Sequence, residues 1–412
     1  MFTNEYVLKH KDIPVAVFSM DEEYKVSNII EIINKERLPF GLKGRDNFID
    51  NWYRDELNDW LKYRGLPEGR SDLAEVMLKN NTDNTVELVM GSYALNLTDH
   101  YWVHNTKSDL KWSKVNFFEN AFSSHIDIGM LDINDKLYKE ELKGPDLTTN
   151  GSLKKRWYIG NNDVRIMLKE GRGIERQEPY NELIASKVMD LLKIAHVPYS
   201  VHYLENGLPV CSCPCMVNKN TEFIDAKRVL DDEKINEKNN YYRFVEICKK
   251  NGITDAKERI DEMMVIDYIL GNDDRHRGNF GVIRDANTLK WLKIAPVFDT
   301  GNSLCHRDEI IEVSQNMDTL CRWLRMSNLK SLDLINYPSW YYSKRNKEIV
   351  NKIHATLLNN KKMSNAKKEA IDEIVEKRII IFENLIVSKK DDNFLDMGRV
   401  KGNKKNLRGE RG

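Results

Sequence analysis

Residues 271–281, Gly-Asn-Asp-Asp-Arg-His-Arg-Gly-Asn-Phe-Gly, set Asp273, Asp274, His276 and Asn279 into one short loop. Residues 295–303, Ala-Pro-Val-Phe-Asp-Thr-Gly-Asn-Ser, bring a further carboxylate, Asp299. Phosphoryl transfer needs this set of parts. One carboxylate must meet the attacking hydroxyl and take its proton, while a second carboxylate and an amide oxygen hold Mg²⁺ against the phosphates. Of the two adjacent aspartates only Asp274 has an asparagine five positions on, so Asp274 is the candidate base and Asn279 and Asp299 the candidate metal ligands. An Asx-rich turn would account for the loop alone; Asp299, placed after the next pair of short strands, is what the bland reading leaves unexplained.

Asp274-Arg275-His276 with Asn279-Phe280, and Pro296 followed by Asp299 and Ser303, resemble the HipA-like serine/threonine kinases, a bacterial family often found as toxins of toxin–antitoxin pairs. The histidine follows the aspartate, and Asp299-Thr300-Gly301 stands where eukaryotic kinases have Asp-Phe-Gly; both features fit the HipA-like pattern. The resemblance is good over residues 148–303 and weaker on either side. It implies an ATP- and Mg²⁺-dependent protein kinase in which His276 braces the catalytic loop. It implies that Lys169, at the end of the strand Arg165-Ile166-Met167-Leu168-Lys169, holds the nucleotide phosphates as a point charge. Glu182, early in the next helix, becomes its ion-pair partner; an exposed lysine and a dipole-favoured helix acid are the plain alternatives. The loop Thr148-Thr149-Asn150-Gly151-Ser152 sits where a phosphate-covering loop belongs. In the family it carries a self-phosphorylated serine, for which Ser152, after Gly151, is the first choice over Thr148 and Thr149. Lys154, Lys155 and Arg156 follow as cations that could hold the added phosphate. Met216 and Val217 fall at the hinge, whose backbone would pair with adenine. A small helix-turn-helix antitoxin is the implied partner beside an unidentified protein substrate. A small-molecule phosphotransferase on the same fold, and a weakly active kinase fold that acts by binding, are the competing readings.

The elements that must position these groups follow from periodicity and punctuation. Residues 5–18 read as two short strands, 28–38 as an amphipathic helix and 47–66 as another. A turn-rich break at 143–152 separates this α+β region (1–146) from a small lobe (147–218). The small lobe has strands at 155–159 and 164–169, a helix at 181–192, and strands at 197–203 and 208–217. The helical large lobe (219–388) holds an apolar helix over 261–270, capped by Gly271, and a closing helix over 366–387; a flexible charged tail (389–412) follows. The fold class is thus α+β, a two-lobed kinase-like fold with an N-terminal extension and a mostly helical C-terminal lobe.

Composition sets the outer bounds. With Lys+Arg and Asp+Glu both 64, the 412-residue chain has no net charge, so a strong direct nucleic-acid interaction is not expected. No apolar run is long enough for a membrane span and no secretory signal opens the chain, so a cytoplasmic protein with reduced thiols is expected. Cys211, Cys213 and Cys215 alternate along a strand, spacing that suits structural cysteines better than a zinc site. His196, His202 and His306 read as ordinary histidines, and the basic tail 401–411 as a solvated terminus.

Overall fold

A computed structural model describes residues 4–42, 50–122, 144–232, 235–336, 338, 340–341 and 343–406. The first sheet is antiparallel, in the order β3-β2-β1-β4, built from β1 (Asn4–His10), β2 (Ile13–Met20), β3 (Val26–Ile32) and β4 (Tyr101–Asn105). The amphipathic helix expected over 28–38 is therefore an edge strand. Ile29, Ile30 and Ile32 are β-branched, stiff at χ1 and better suited to a pleat than to a helix, and β3 pairs with β2 through two register shifts. Helix α1 (Asp50–Arg64) covers the sheet, packing Tyr53, Leu57, Trp60 and Leu61 on Leu8, Val15 and Phe18. Short helices α2 (Leu73–Lys79), α3 (Thr85–Gly91) and α4 (Trp112–Val115) complete this region.

The second sheet is also antiparallel, β5-β6-β8-β7, from β5 (Lys155–Ile159), β6 (Arg165–Glu170), β7 (Ser200–Tyr203) and β8 (Pro209–Pro214). Between β6 and β7 lies α5 (Glu178–Leu192), with Pro179 in its first turn and left-handed Lys193 closing it. A strand not read in the sequence, β9 (Thr221–Asp225), heads a third sheet ordered β11-β10-β9, with β10 (Gly281–Asp285) and β11 (Trp291–Ile294). Its face meets the N-terminal region across a sealed seam. There Glu222 accepts from Arg284 Nε at 2.5 Å and pairs with His10 Nε2 at 3.0 Å, while Arg284 also donates to Tyr101 Oη at 3.0 Å.

The remainder is helical: α6 (Ala226–Asp232), α7 (Asn240–Lys250), α8 (Ala256–Leu270), α9 (Ile310–Gln315), α10 (Asn328–Ser331), α11 (Asn346–Leu357) and α12 (Asn365–Asn406). Before α10 a small hairpin pairs β12 (Leu320–Cys321) with β13 (Met326–Ser327). α8 is buried on nearly every side from Ile260 on, its apolar run Met263–Ile266 packed in the core and its acids Asp261, Glu262 and Asp267 each paired, and it ends at left-handed Gly271 with φ +64°. Arg378 of α12 reaches this point: a methyl on Gly271 would lie 2.2 Å from its guanidinium. The same side chain donates to Asn316 O at 2.7 Å. α12 outruns the expected end of the closing helix, and 407–412, the last part of the expected tail, lie outside the described residues. No helix among the described residues is long and apolar enough to cross a membrane.

Candidate active site

Lys169, near the end of β6, is buried, and its ammonium donates to Glu182 Oε1 at 2.6 Å and to Asp299 Oδ1 at 2.5 Å. Three elements meet at this one atom: β6, α5 and the loop after β11. Burial alone would lower the Lys169 pKa, but Asp299 and Glu182 override it and hold it well above the ordinary lysine value. Burial likewise works to raise Asp299, yet Lys169 and Lys155 hold it well below the usual carboxylate range. Glu182 uses its other oxygen to accept from Thr300 N at 2.9 Å. Asp299 itself sits at φ +56°, the left-handed region, which costs a non-glycine residue roughly 1–2 kcal/mol. The tethers on Thr300 and from Asn181 Nδ2 to Gly301 O (2.9 Å) and Ser303 O (2.7 Å) maintain that turn.

The catalytic-loop candidates lie across a cavity of about 280 Å³ whose walls include Lys169, Asp274, Asn279 and Asp299. Asn279 Nδ2 donates to Asp274 O at 3.3 Å, closing the loop over the five-residue spacing. Asn302 Nδ2 donates to Asp274 Oδ2 at 2.7 Å, and the Arg322 guanidinium is paired with Oδ1. Among the described residues no three His, Cys, Asp or Glu side chains form an all-protein metal cage. The oxygens of Asp299 and Asn279 on one cavity suit a cation that completes its shell with phosphate oxygens and water, the habit of Mg²⁺.

His276, expected to brace the loop, is instead exposed on the cavity's rim, where Nδ1 accepts from Gly278 N at 3.0 Å. The brace is its neighbour Arg275, fully buried. Arg275 binds Asp267 of α8 through two bonds, 2.9 and 3.0 Å, and donates to Asn279 O at 2.8 Å and Phe298 O at 2.5 Å. It thereby ties α8, the loop 271–281 and the Asp299 turn into one unit.

The loop 148–152 forms the cavity's edge, with Thr149, Gly151 and Ser152 among the wall residues. Thr148 is buried and donates to Leu95 O at 2.6 Å; Thr149 donates to Pro145 O at 2.7 Å and accepts from Trp157 Nε1 at 2.8 Å. Ser152 is exposed. Lys155, read in the sequence only as one of three nearby cations, is buried and donates to Asn150 O at 2.8 Å. Gly151 suits the position because φ +111° is a backbone that other residues rarely adopt, and a methyl there would also make that ammonium shift. Burial lowers Lys155 to about 8, with Lys169 and Arg70 adding to the effect against the pull of Asp299.

The cavity's apolar end is walled by Met167, Val197, Met216 and Phe298. Of the two hinge candidates only Met216 faces it; Val217 packs with Ile283 and Ala295. Cys211, Cys213 and Cys215 are free thiols, and burial pushes the latter two up to about 12 and 11, as expected of structural cysteines. His196 bonds Ser186 Oγ at 3.0 Å and His202 bonds Ser212 Oγ at 2.8 Å, both away from the cavity walls.

Arg275, Asn181, Asn302, Lys155 and Arg322 were not given these roles by sequence reasoning. Arg275 could have been found, since a guanidinium between two site residues has five donors to place. The partners of the other four become visible only in the folded chain.

No family model matches the chain. It is similar to the serine/threonine-protein kinase CtkA of Helicobacter pylori, with 32% identity over 139 residues, covering 28% of this chain and 42% of that protein. The chain thus matches less than half the length of that curated relative. The crystal structure of the Helicobacter pylori proinflammatory kinase CtkA aligns with TM-score 0.44 at 19% identity, over 57% of this chain and 94% of the other. HipA from Shewanella oneidensis, solved with HipB and operator DNA, aligns with TM-score 0.52 at 10% identity, over 92% of this chain and 97% of HipA. The chain therefore has the fold of HipA, and over 139 residues its sequence is similar to that of a serine/threonine-protein kinase.

Proposed function

We propose that the chain is an ATP- and Mg²⁺-dependent serine/threonine protein kinase of HipA-like type that also phosphorylates itself. The observation that carries this reading is that Lys169, held by Glu182 and Asp299, lines one cavity together with Asp299, Asp274 and Asn279. Two buried lysines, Lys155 and Lys169, supply positive charge where a triphosphate would lie, and the slot of Met167, Val197, Met216 and Phe298 suits a flat apolar base. Asp274 takes the proton of the acceptor hydroxyl, and Asp299 with Asn279 holds the cation. Bound Mg²⁺–ATP would supply the transferable phosphoryl and the charge neutralisation; the chain's contribution is positioning and electrostatics.

Self-modification falls on Ser152, the exposed hydroxyl of the loop, whose neighbours Thr148 and Thr149 are already bonded. A phosphate adds about −1.5 to −2 charges beside Asp299 and the nucleotide phosphates. It would pull on Lys155, release the Asn150 carbonyl and push the loop outward, giving a less active form. The likeness to HipA, solved with HipB and DNA, supports a small DNA-binding antitoxin as partner. The deciding experiment incubates the purified chain with ATP and Mg²⁺ and maps phosphosites by mass spectrometry on the chain and on a lysate. Phosphate on proteins, lost with Asp274→Asn, is the expected result. Phosphate found only on added sugars, amino alcohols or aminoglycosides would replace the protein-kinase reading with a small-molecule phosphotransferase.

A further inference from the structure

The candidate base does not stand open to an acceptor. Arg322 is paired with Asp274 Oδ1, on a side chain that is 52% exposed. It comes from the β12–β13 hairpin, which is fastened to the catalytic loop. Trp323 N donates to Arg275 O at 3.2 Å, Asn328 Nδ2 donates to Asn272 O at 2.8 Å, and the Trp323 ring packs on Phe280 with centroids 4.8 Å apart. Cys321 and Trp323 on either side are buried. The hairpin is thus a rigid arm that delivers one flexible guanidinium to the base.

The direction of approach narrows its purpose. Asn302, the other partner of the Asp274 carboxylate, lines the nucleotide cavity; Arg322 does not. The guanidinium meets the base from outside the cavity, the side from which an acceptor must come, because the attacking and leaving oxygens lie roughly in line. A serine or threonine hydroxyl that docks on Asp274 Oδ1 must displace Arg322. A displaced guanidinium at the mouth of the site needs a new anionic partner, and a carboxylate beside the acceptor hydroxyl provides one, with both oxygens free for the bidentate pairing that Asp274, whose Oδ2 is taken by Asn302, does not give. Arg307, also exposed, lies within electrostatic reach of Asp273 and adds to the positive rim.

We propose that Arg322 is the acceptor-specificity residue of this site, exchanging Asp274 for an acidic side chain next to the phosphorylated serine or threonine, so that the protein substrate is an acidic segment. The inference rests on the kinase reading and gives it a substrate class. Matching neutral or basic acceptors would leave the arginine without an exchange partner, and like charges at the rim would repel.

The test uses the full chain with Mg²⁺–ATP and three serine peptides that differ only in having Glu, Ala or Lys beside the serine. Wild type should show kcat/KM for the Glu peptide at least ~10-fold above that for the Ala peptide, the scale of one charge-assisted hydrogen bond. Arg322→Ala should flatten that ratio, and Arg322→Glu should invert it in favour of Lys, with thermal melting confirming that both variants are folded. Equal use of the three peptides by wild type, or a preference that survives both substitutions, overturns the proposal. So does a rise in KM for ATP that is the same with every acceptor, which would assign Arg322 to the nucleotide. Absence of phosphate on the peptides, the chain itself and a lysate would instead bring down the kinase reading from which the proposal starts.

Discussion

Two buried ionic clusters of similar make-up have different surroundings in this molecule. At the seam between the N-terminal sheet and β9–β10, Glu222, Arg284 and His10 have side chains at most 2% exposed. In the cleft, Lys169 and Glu182 are as deeply placed, but the Asp299 side chain is 33% exposed and forms part of a cavity wall. The seam charges have nowhere to go, so their pairing can serve only the fold. The cleft charges can exchange partners with whatever enters. A buried ion pair adds little net stability over an apolar replacement, but breaking one costs several kcal/mol. The two clusters should therefore fail in opposite ways.

The largest effects belong to the cleft. Asp274→Asn and Asp299→Asn should each lower phosphoryl transfer by ~10²–10⁴-fold while the melting temperature of Asp274→Asn stays near wild type. Only Asp299→Asn should weaken Mg²⁺–ATP binding in calorimetry, and Lys169→Ala should weaken ATP binding and slow transfer together. Near-wild-type turnover in Asp274→Asn would remove the base assignment.

At the seam the loss should be of stability. Arg284→Met leaves Glu222 buried beside His10 without its main cation, at a cost of about 3–5 kcal/mol in urea unfolding. Activity per folded molecule should be kept. An Arg284→Met chain that is stable but inactive would erase the distinction between the clusters.

Acid should find the seam as well. Burial pushes the His100 imidazole down to about 4 despite nearby Glu222, and Arg284 and His10 outweigh burial to hold Glu222 at about 2. Both folded values lie below the unfolded ones, so both groups contribute stability above their unfolded pKa and lose it as pH falls. The window is about 6.5 to 4 for His100 and about 4.5 to 2 for Glu222. The melting temperature should drop from pH 7 to pH 4, a change worth a few kcal/mol, and less steeply in His100→Gln. A flat profile in wild type would show that the imidazole is not held neutral.

The smallest effect is kinetic. Ser152→Ala should leave the initial rate close to wild type but slow the loss of activity during incubation with ATP, read by intact mass and rate over time. Phosphate mapped elsewhere on the chain, with none over 148–152, would sink the loop's role without touching the rest.

The sequence was most legible where chemistry and local geometry coincide. Asp274, Asn279 and the Gly271 cap lie within one loop, Lys169 sits near the end of a strand with a clear pattern, and Asp299 follows a second short strand by five residues. It misled where one composition fits two periods: Ile29, Ile30, Ile32 and Ile33 satisfy a helical stripe, and only pairing with β2 decides for a strand. Strand β9 was hidden because its register is set by β10, more than fifty residues later. Arg275 stands within the motif, but motif reasoning places the brace at its neighbour His276. Arg322 could not be read at all, since nothing near it in the chain announces a partner 48 positions away.

Gly271 and Arg378 leave a different kind of mark. The first turn of the loop 271–281 has no room for a methyl while a guanidinium from α12 fills the space. Position 271 is the constrained one, since Arg378 can change without disturbing a glycine. A larger residue at 271 would also have to bear the left-handed backbone, so a lineage that gains one should first have lost the arginine at 378. Among descendants of a common ancestor a larger residue at 271 should occur only where 378 is no longer arginine, an evolutionary trace of contact between the loop and a helix more than one hundred residues away.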